Sequence, residues 1–288
     1  MGNKATTIEE QIALLKERGM VIDLDNKKVK EILLDIGYYR LGFYWFPFCG
    51  KEHNLNPNTK FSDIVSLYYL DVNLRNILTQ YINRIEINFR TKIVYYVSNK
   101  YKSSPTWFID PEVVSSKFIK DIDKHYSEDF KESNKTIKLH HKKYLNDKYA
   151  PAWKTLEFFS FGTILKIYKN LIETDIKERI SRFYGVKDIH KFINFMETIV
   201  LIRNICAHSA VLYDFKTPKG ISSIPAISFE DRDRHSIYPC IKVISYILGV
   251  ISETRQIEMN DKLKNLFLGH KNNEVISKII ENEIKFKF

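Results

Sequence analysis

Only three cysteines occur in the 288 residues, Cys49, Cys206 and Cys240, and no two form a Cys-x-x-Cys pair. That scarcity excludes a disulfide framework and suits a reducing, cytoplasmic compartment. Glycine and proline are also sparse, at 10 and 8 residues, which argues against a sandwich, a barrel or a disordered chain. Neither Gly-x-Gly-x-x-Gly nor a Walker pattern is present, so no nucleotide cofactor is expected. The first residues, Met1 to Thr7, lack the apolar stretch of a signal peptide. The most apolar late stretch, Tyr238 to Ile251, is interrupted by Pro239 and Lys242 and is too short to span a bilayer.

Against these absences, 44% of residues are hydrophobic and 14% aromatic, ample for a packed core. The formal charge is +10 and the pI about 9.2. Such an excess suits a polyanion partner, nucleic acid first and an acidic membrane surface second. A basic composition with no polyanion partner is the plain alternative.

Helical periodicity dominates the chain, so the expected fold is all-α. Thr6-Thr7-Ile8-Glu9-Glu10-Gln11 resembles a capping box, a Thr at the cap and a Glu three residues on, and Ile8, Ile12 and Leu15 follow as a stripe ended by Gly19. A second helix is expected over 27–36, stopped by Gly37. The dense aromatic run from Tyr38 to Phe48 then packs the N-terminal helices onto the core or stacks on bases. Residues 51–60 read as a polar loop. From Phe61 to Asn99 no Gly or Pro occurs, and apolar residues recur at three- and four-residue steps. One long helix, or two nearly collinear ones, is expected there. Arg75, Glu86 and Arg90 lie close to its apolar face, either as an i,i+4 pair or as support for a site.

Residues 102–150 differ in character, with the breakers Pro105 and Pro111 and a charged, basic helical stretch. Lys135, Lys138, Lys142 and Lys143 are candidate RNA contacts there, and Arg40 and Arg75 are candidates elsewhere; a solvated face is the alternative. His140 and His141 are not expected to bind metal, because adjacent helical residues diverge by about 100°. In the block opened by Trp153, Gly162 points to a bend or a close helix approach. Further helices are expected over 172–184, 187–208, 238–254, 260–267 and 273–288, with at most a weak strand over 221–229. The expected organisation is an N-terminal helical and aromatic region over 1–58 and a helical domain over 59–288, with the basic insertion at about 102–150.

Arg203-Asn204-Ile205-Cys206-Ala207-His208 stands out because a cation, an amide and an imidazole close an otherwise apolar helix. With Arg203 at zero on a helical wheel, Asn204 falls near 100°, Glu197 near 120° and His208 near 140°. Phe192, Phe195, Ile199, Ile202 and Cys206 cluster on the opposite side. Arg203 and His208 are about 7.5 Å apart along the axis, so both can reach one phosphodiester. Arginine offers a planar charged fork to a phosphate, and histidine moves protons near neutrality. Asn204 can orient either group. No metal is required, and no acidic cluster accompanies the motif. The structural alternative is a buried Arg203 paired to Glu197 or Glu86, with His208 capping the helix.

The same six residues resemble the R-x4-6-H signature of HEPN ribonucleases, and the rest of the chain resembles the abortive-infection AbiD/AbiF-type family. The matching segments are Ile36 to Leu41, Phe61 to Ile64 with Leu67 and Tyr68, Asp71 with Leu74 and Arg75, Ile85 to Thr91, Trp153 with Ser160 to Thr163, and Arg203 to His208 with Leu212 and Tyr213. The resemblance implies a HEPN-like helical bundle with an N-terminal helical extension and a charged helical insertion. It implies metal-independent endoribonuclease chemistry in phage defence, with 2′,3′-cyclic phosphate and 5′-hydroxyl ends. It makes Arg203 and His208 the catalytic pair and Asn204 their neighbour; Glu86, Arg90 and Glu197 are the candidate supporting residues by position. Because HEPN sites are composite and this chain has one motif, it also implies a homodimer. RNA is the substrate, and a cognate small non-coding RNA is a further partner. A non-cleaving RNA-binding scaffold or sensor is the competing function. Toxins of the HEPN–nucleotidyltransferase pairs carry a Tyr two residues after the His; Ala210 stands there, which puts control at that position in doubt.

Overall fold

The uninterrupted sequence between Phe61 and Lys100 forms one helix of 40 residues, about 60 Å long. It is the spine of a computed structural model that describes residues 4–50, 54–229 and 233–288. In chain order the α-helices are α1 (Ile8–Glu17), α2 (Asn26–Asp35), α3 (Tyr38–Leu41), the spine α4 (Phe61–Lys100), α5 (Ser116–Ile119), α6 (Glu128–Ser133), α7 (Lys135–Lys143), α8 (Ala152–Thr155), α9 (Phe161–Asn170), α10 (Thr174–Phe183), α11 (Ile189–Ala207), α12 (Ile237–Ile251), α13 (Glu253–Leu268) and α14 (Glu274–Ile279). The fold is all-α. Isolated bridges such as Val21 to Lys60 are the only β pairing among the described residues.

Local chemistry sets the element ends. Thr7 and Glu10 close a reciprocal capping box on α1, a device that satisfies two otherwise orphaned N–H groups. Gly37 stops α2 with φ +88°, a conformation that costs a Cβ-bearing residue. The aromatic run then tightens into short turns with Tyr44 and Phe48 buried, while Tyr39 and Phe46 stay exposed. It therefore packs the N-terminal helices inward and leaves some rings facing solvent. Of the 51–60 loop, residues 51–53 lie outside the described residues.

Along α4 the buried positions, from Ile64 through Leu67, Leu74, Leu78, Ile82, Ile85 and Phe89 to Ile93, keep the stepwise periodicity of the sequence. The helices α8 to α14 all pack on this spine. The basic segment is not a free arm. Trp107, Phe108, Phe118, Ile122, Tyr126 and Ile137 are buried, and short helices α5 to α7 wrap them. One apolar cluster runs from Ile12 to Ile284, so the N-terminal region and the insertion share the core of the spine.

Three expectations change. Residues 221–229 form no strand: Ile224 and Ile227 make a single bridge closed as a turn over Pro225, where proline has no N–H for a ladder. Gly162 lies inside α9 without a bend, and a Cβ there would meet Val200 Cγ1 at 3.8 Å, an ordinary contact. The last helix does not reach Phe288. After α14 a π turn, Ile280–Ile284, ends at Lys285 with φ +71°, and Phe286 folds back onto Phe267.

Candidate active site

Helix α11 runs antiparallel to the spine, so its C-terminal turn meets two groups of α4 side chains. The apolar side foreseen for it is in place: Phe192, Phe195, Ile199, Ile202 and Cys206 are buried. That anchor turns Arg203 toward Glu86, whose Oε2 lies 3.4 Å from Arg203 Nε. Glu86 also takes Arg90 at 3.0 Å, one helical turn along α4. Arg90 in turn donates to the Phe159 carbonyl at 3.1 Å, and its Nε has no partner among the described residues. Arg203 Nη1 donates to Asn204 Oδ1 at 3.2 Å. The Glu86 side chain is 10% exposed and that of Arg203 33%. One face of the guanidinium is thus held by an acid and another is left to solvent.

Glu197, the other candidate acid for Arg203, is taken by Lys169 at 2.6 Å. Met196, on the polar side of the wheel, is buried, whereas Val200 and Leu201 are half-buried. Burial pushes the Cys206 thiol up to about 11, so this cysteine inside the motif is no thiolate nucleophile at neutral pH.

His208 is the C-cap of α11 and is exposed. The turn after it satisfies the helix end by two backbone bonds, Ser209 N–H to the Cys206 carbonyl and Ala210 N–H to the Ile205 carbonyl. This Schellman geometry needs a left-handed residue, most often glycine; Ser209 fills it with φ +54°. Other contacts hold the turn. Arg40 donates to the Ser209 carbonyl, and Arg75 Nη1 donates to the Ala210 carbonyl at 3.1 Å. Asp71 accepts from Tyr213 N–H at 2.7 Å and from Leu212 N–H at 3.1 Å. It also accepts from the Tyr44 hydroxyl at 2.8 Å and pairs with Arg75. Burial, then the Asp71 carboxylate, push the Tyr44 phenol above its ordinary range, so it remains a donor. The backbone that follows His208 is therefore clamped from α3 and α4.

The residues expected to touch RNA separate into two sets. Arg75 is buried and committed to Asp71, Tyr44 and Ala210; it offers no free guanidinium to a surface phosphate. Arg40 is half-buried and spends a donor on Ser209. Lys135, Lys142 and Lys143 are exposed on α7, and Lys138 pairs with Glu132 at 2.5 Å. His140 and His141 bond Asp147 and the Tyr126 hydroxyl. Among the described residues, no three His, Cys, Asp or Glu side chains group as metal ligands, and no helix is long and apolar enough to cross a membrane.

Sequence reasoning missed the role of Asp71 and Tyr44. The i,i+4 spacing of Asp71 and Arg75 was the available signal, but their backbone partners lie about 140 residues away.

A family model described as Abi-like protein matches residues 31–214. No curated protein and no solved structure matches the chain. The matched span holds α4, both acid–arginine pairs and the whole of the Arg203 to His208 turn.

Proposed function

The chain belongs to the Abi-like protein family, and from that premise we propose that it is a metal-independent endoribonuclease of abortive-infection defence. In this reaction the 2′-oxygen of RNA attacks the adjacent phosphorus and forms a new P–O bond. The bond to the 5′-oxygen breaks, and a proton passes overall from the 2′-hydroxyl to that leaving oxygen. The ends are a 2′,3′-cyclic phosphate and a 5′-hydroxyl.

His208 handles the proton, a task suited to an imidazole near neutral pH. Arg203 presents its open face to the charge that builds on the phosphoryl oxygens. Asn204 and Glu86 set the plane of that guanidinium, Glu86 from the spine and Asn204 from the helix itself. Arg90 keeps Glu86 in place. In-line attack puts the attacking and leaving oxygens on opposite sides of phosphorus, so one imidazole serves one of them. A second copy supplies the other, which makes the working unit a homodimer. The excess of +10 favours RNA as substrate and suits a cognate small non-coding RNA as regulator.

One observation carries this reading: a part-exposed arginine and an exposed histidine share one helix end whose surroundings are otherwise tied down. The test is direct. Purified wild type, Arg203→Ala and His208→Ala are incubated with mixed-sequence RNA in EDTA. We expect cleavage by the wild type and at least a ~100-fold loss in each variant. Cleavage that survives both substitutions would falsify the assignment.

A second reading has one observation in its favour. Glu86 already occupies Arg203 Nε, as in a structural pair, so the motif can hold RNA or a second copy without cutting. Tight RNA binding with no cleavage under any condition selects this scaffold reading.

A further inference from the structure

Asn194, Glu197, Thr198, Leu201 and Asn204 recur at three- and four-residue steps along α11, which makes them one face about 15 Å long. That face borders a groove of about 410 Å³. Helix α9 lines it through Gly162, Leu165, Lys166 and Lys169, and the segment from Thr217 to Lys219 completes it. The volume falls within the range of sites that take a nucleotide-sized ligand.

The lining has a definite chemistry. Leu165, Val200 and Leu201 are its apolar part. Lys166, Lys169 and Lys219 face a single acid, Glu197, which Lys169 already pairs at 2.6 Å. Lys166 and Lys219 make no salt bridge among the described residues and are exposed; the Lys166 charge also acts on Asp121, and at the groove itself the lysines outnumber the acid. The groove is also continuous with the candidate active site. Asn204 lines its end and accepts the hydrogen bond of Arg203.

We propose that this groove binds single-stranded RNA beside the scissile phosphate, with a base on the apolar lining and phosphates on Lys166 and Lys219. The inference rests on the ribonuclease reading, since it makes the groove the approach to Arg203 and His208. Single strands fit because their bases are free to leave the stack for an apolar surface, while a duplex keeps them inside. Charge favours RNA over a second copy of this chain: another +10 molecule brings like charge toward the same two lysines. Gly162 keeps the groove open. A Cβ there would stand 3.8 Å from Val200 Cγ1, so a large side chain at this exposed position would start over the apolar lining.

The test uses the full chain and a fluorescent, 2′-O-methylated single-stranded oligonucleotide, which lacks the attacking hydroxyl and stays intact. Its affinity is measured across salt concentrations. We expect Lys166→Ala with Lys219→Ala to bind about tenfold more weakly at 0.1 M salt and to flatten the log–log salt dependence by about 1.4, two phosphate contacts' worth. Gly162→Leu, which changes no charge, lowers affinity and leaves the salt slope as it was. Unchanged affinity and slope in these variants overturn the proposal, as does a wild type that binds no oligonucleotide. A change in sedimentation mass without a change in affinity also overturns it and assigns the groove to a second copy. Failure of the ribonuclease reading looks different: unmodified RNA stays whole, yet lysine-dependent binding persists and the groove assignment stands.

Discussion

Two acid–arginine pairs sit on the same helix with the same spacing, Asp71 with Arg75 and Glu86 with Arg90, and they do different work. The first is closed. The Asp71 side chain is fully buried, and its contacts go to Tyr44, Arg75 and the Leu212 and Tyr213 backbone. Arg75 spends its donors on Asp71, Tyr44 and Ala210. The second is open. Glu86 reaches past Arg90 to Arg203, and Arg203 is one-third exposed. Identical local chemistry thus gives a clamp at one level of the spine and a supported cation at the other. The distinction comes from what α11 and the turn after it bring to each pair.

The comparison can be broken by removing each acid. Asp71→Ala leaves Arg75 buried without its counter-charge and strands two backbone N–H groups. We expect a loss of about 3–5 kcal/mol, read from the urea midpoint. Glu86→Ala is expected to cost less, about 1–3 kcal/mol, because Arg203 can turn to water and Arg90 keeps Glu157 and the Phe159 carbonyl. Equal or inverted costs would erase the difference between clamp and support.

Ser209→Gly probes the turn that the clamp holds. Relief of the left-handed serine should stabilise the fold by about 0.5–1 kcal/mol, and a destabilised variant would show that the hydroxyl matters more than the backbone.

The smallest expected effect is on pH dependence. Burial holds the imidazoles of His125, His141 and His270 below the ordinary histidine range. Between that lowered range and the unfolded value of about 6.5, the unfolded chain binds protons that the folded one does not. Stability should therefore be full above about pH 6.5 and fall as the pH drops below it. Neither pair contains a histidine, so His125→Gln, His141→Gln and His270→Gln together should flatten this fall with both pairs still in place, measured by urea unfolding at several pH values.

Much of this architecture is legible in single residues. The spine follows from forty positions without glycine or proline, α1 from Thr7 and Glu10, and the buried side of α11 from Phe192, Phe195, Ile199 and Ile202. The partner of Arg203 is not. Glu197 and Glu86 fit the sequence equally, and the choice falls to Glu86 because Lys169 of α9 takes Glu197. Arg40 and Arg75 are candidate RNA contacts in the sequence, as cations suited to phosphate. Their carbonyl partners lie 169 and 135 residues away, beyond any local pattern. The left-handed Ser209 was hidden for a related reason: neither glycine nor asparagine marks the position.

The most direct test of the open site is the chemistry of the cut ends. RNA digested in EDTA by the wild type is analysed for its termini, beside Arg203→Ala, His208→Ala and a 2′-O-methylated substrate. We expect 2′,3′-cyclic phosphate and 5′-hydroxyl ends from the wild type alone, and no cut in the methylated strand. Ends bearing 3′-hydroxyl and 5′-phosphate, or cleavage of the methylated strand, would contradict catalysis by Arg203 and His208 through the 2′-oxygen.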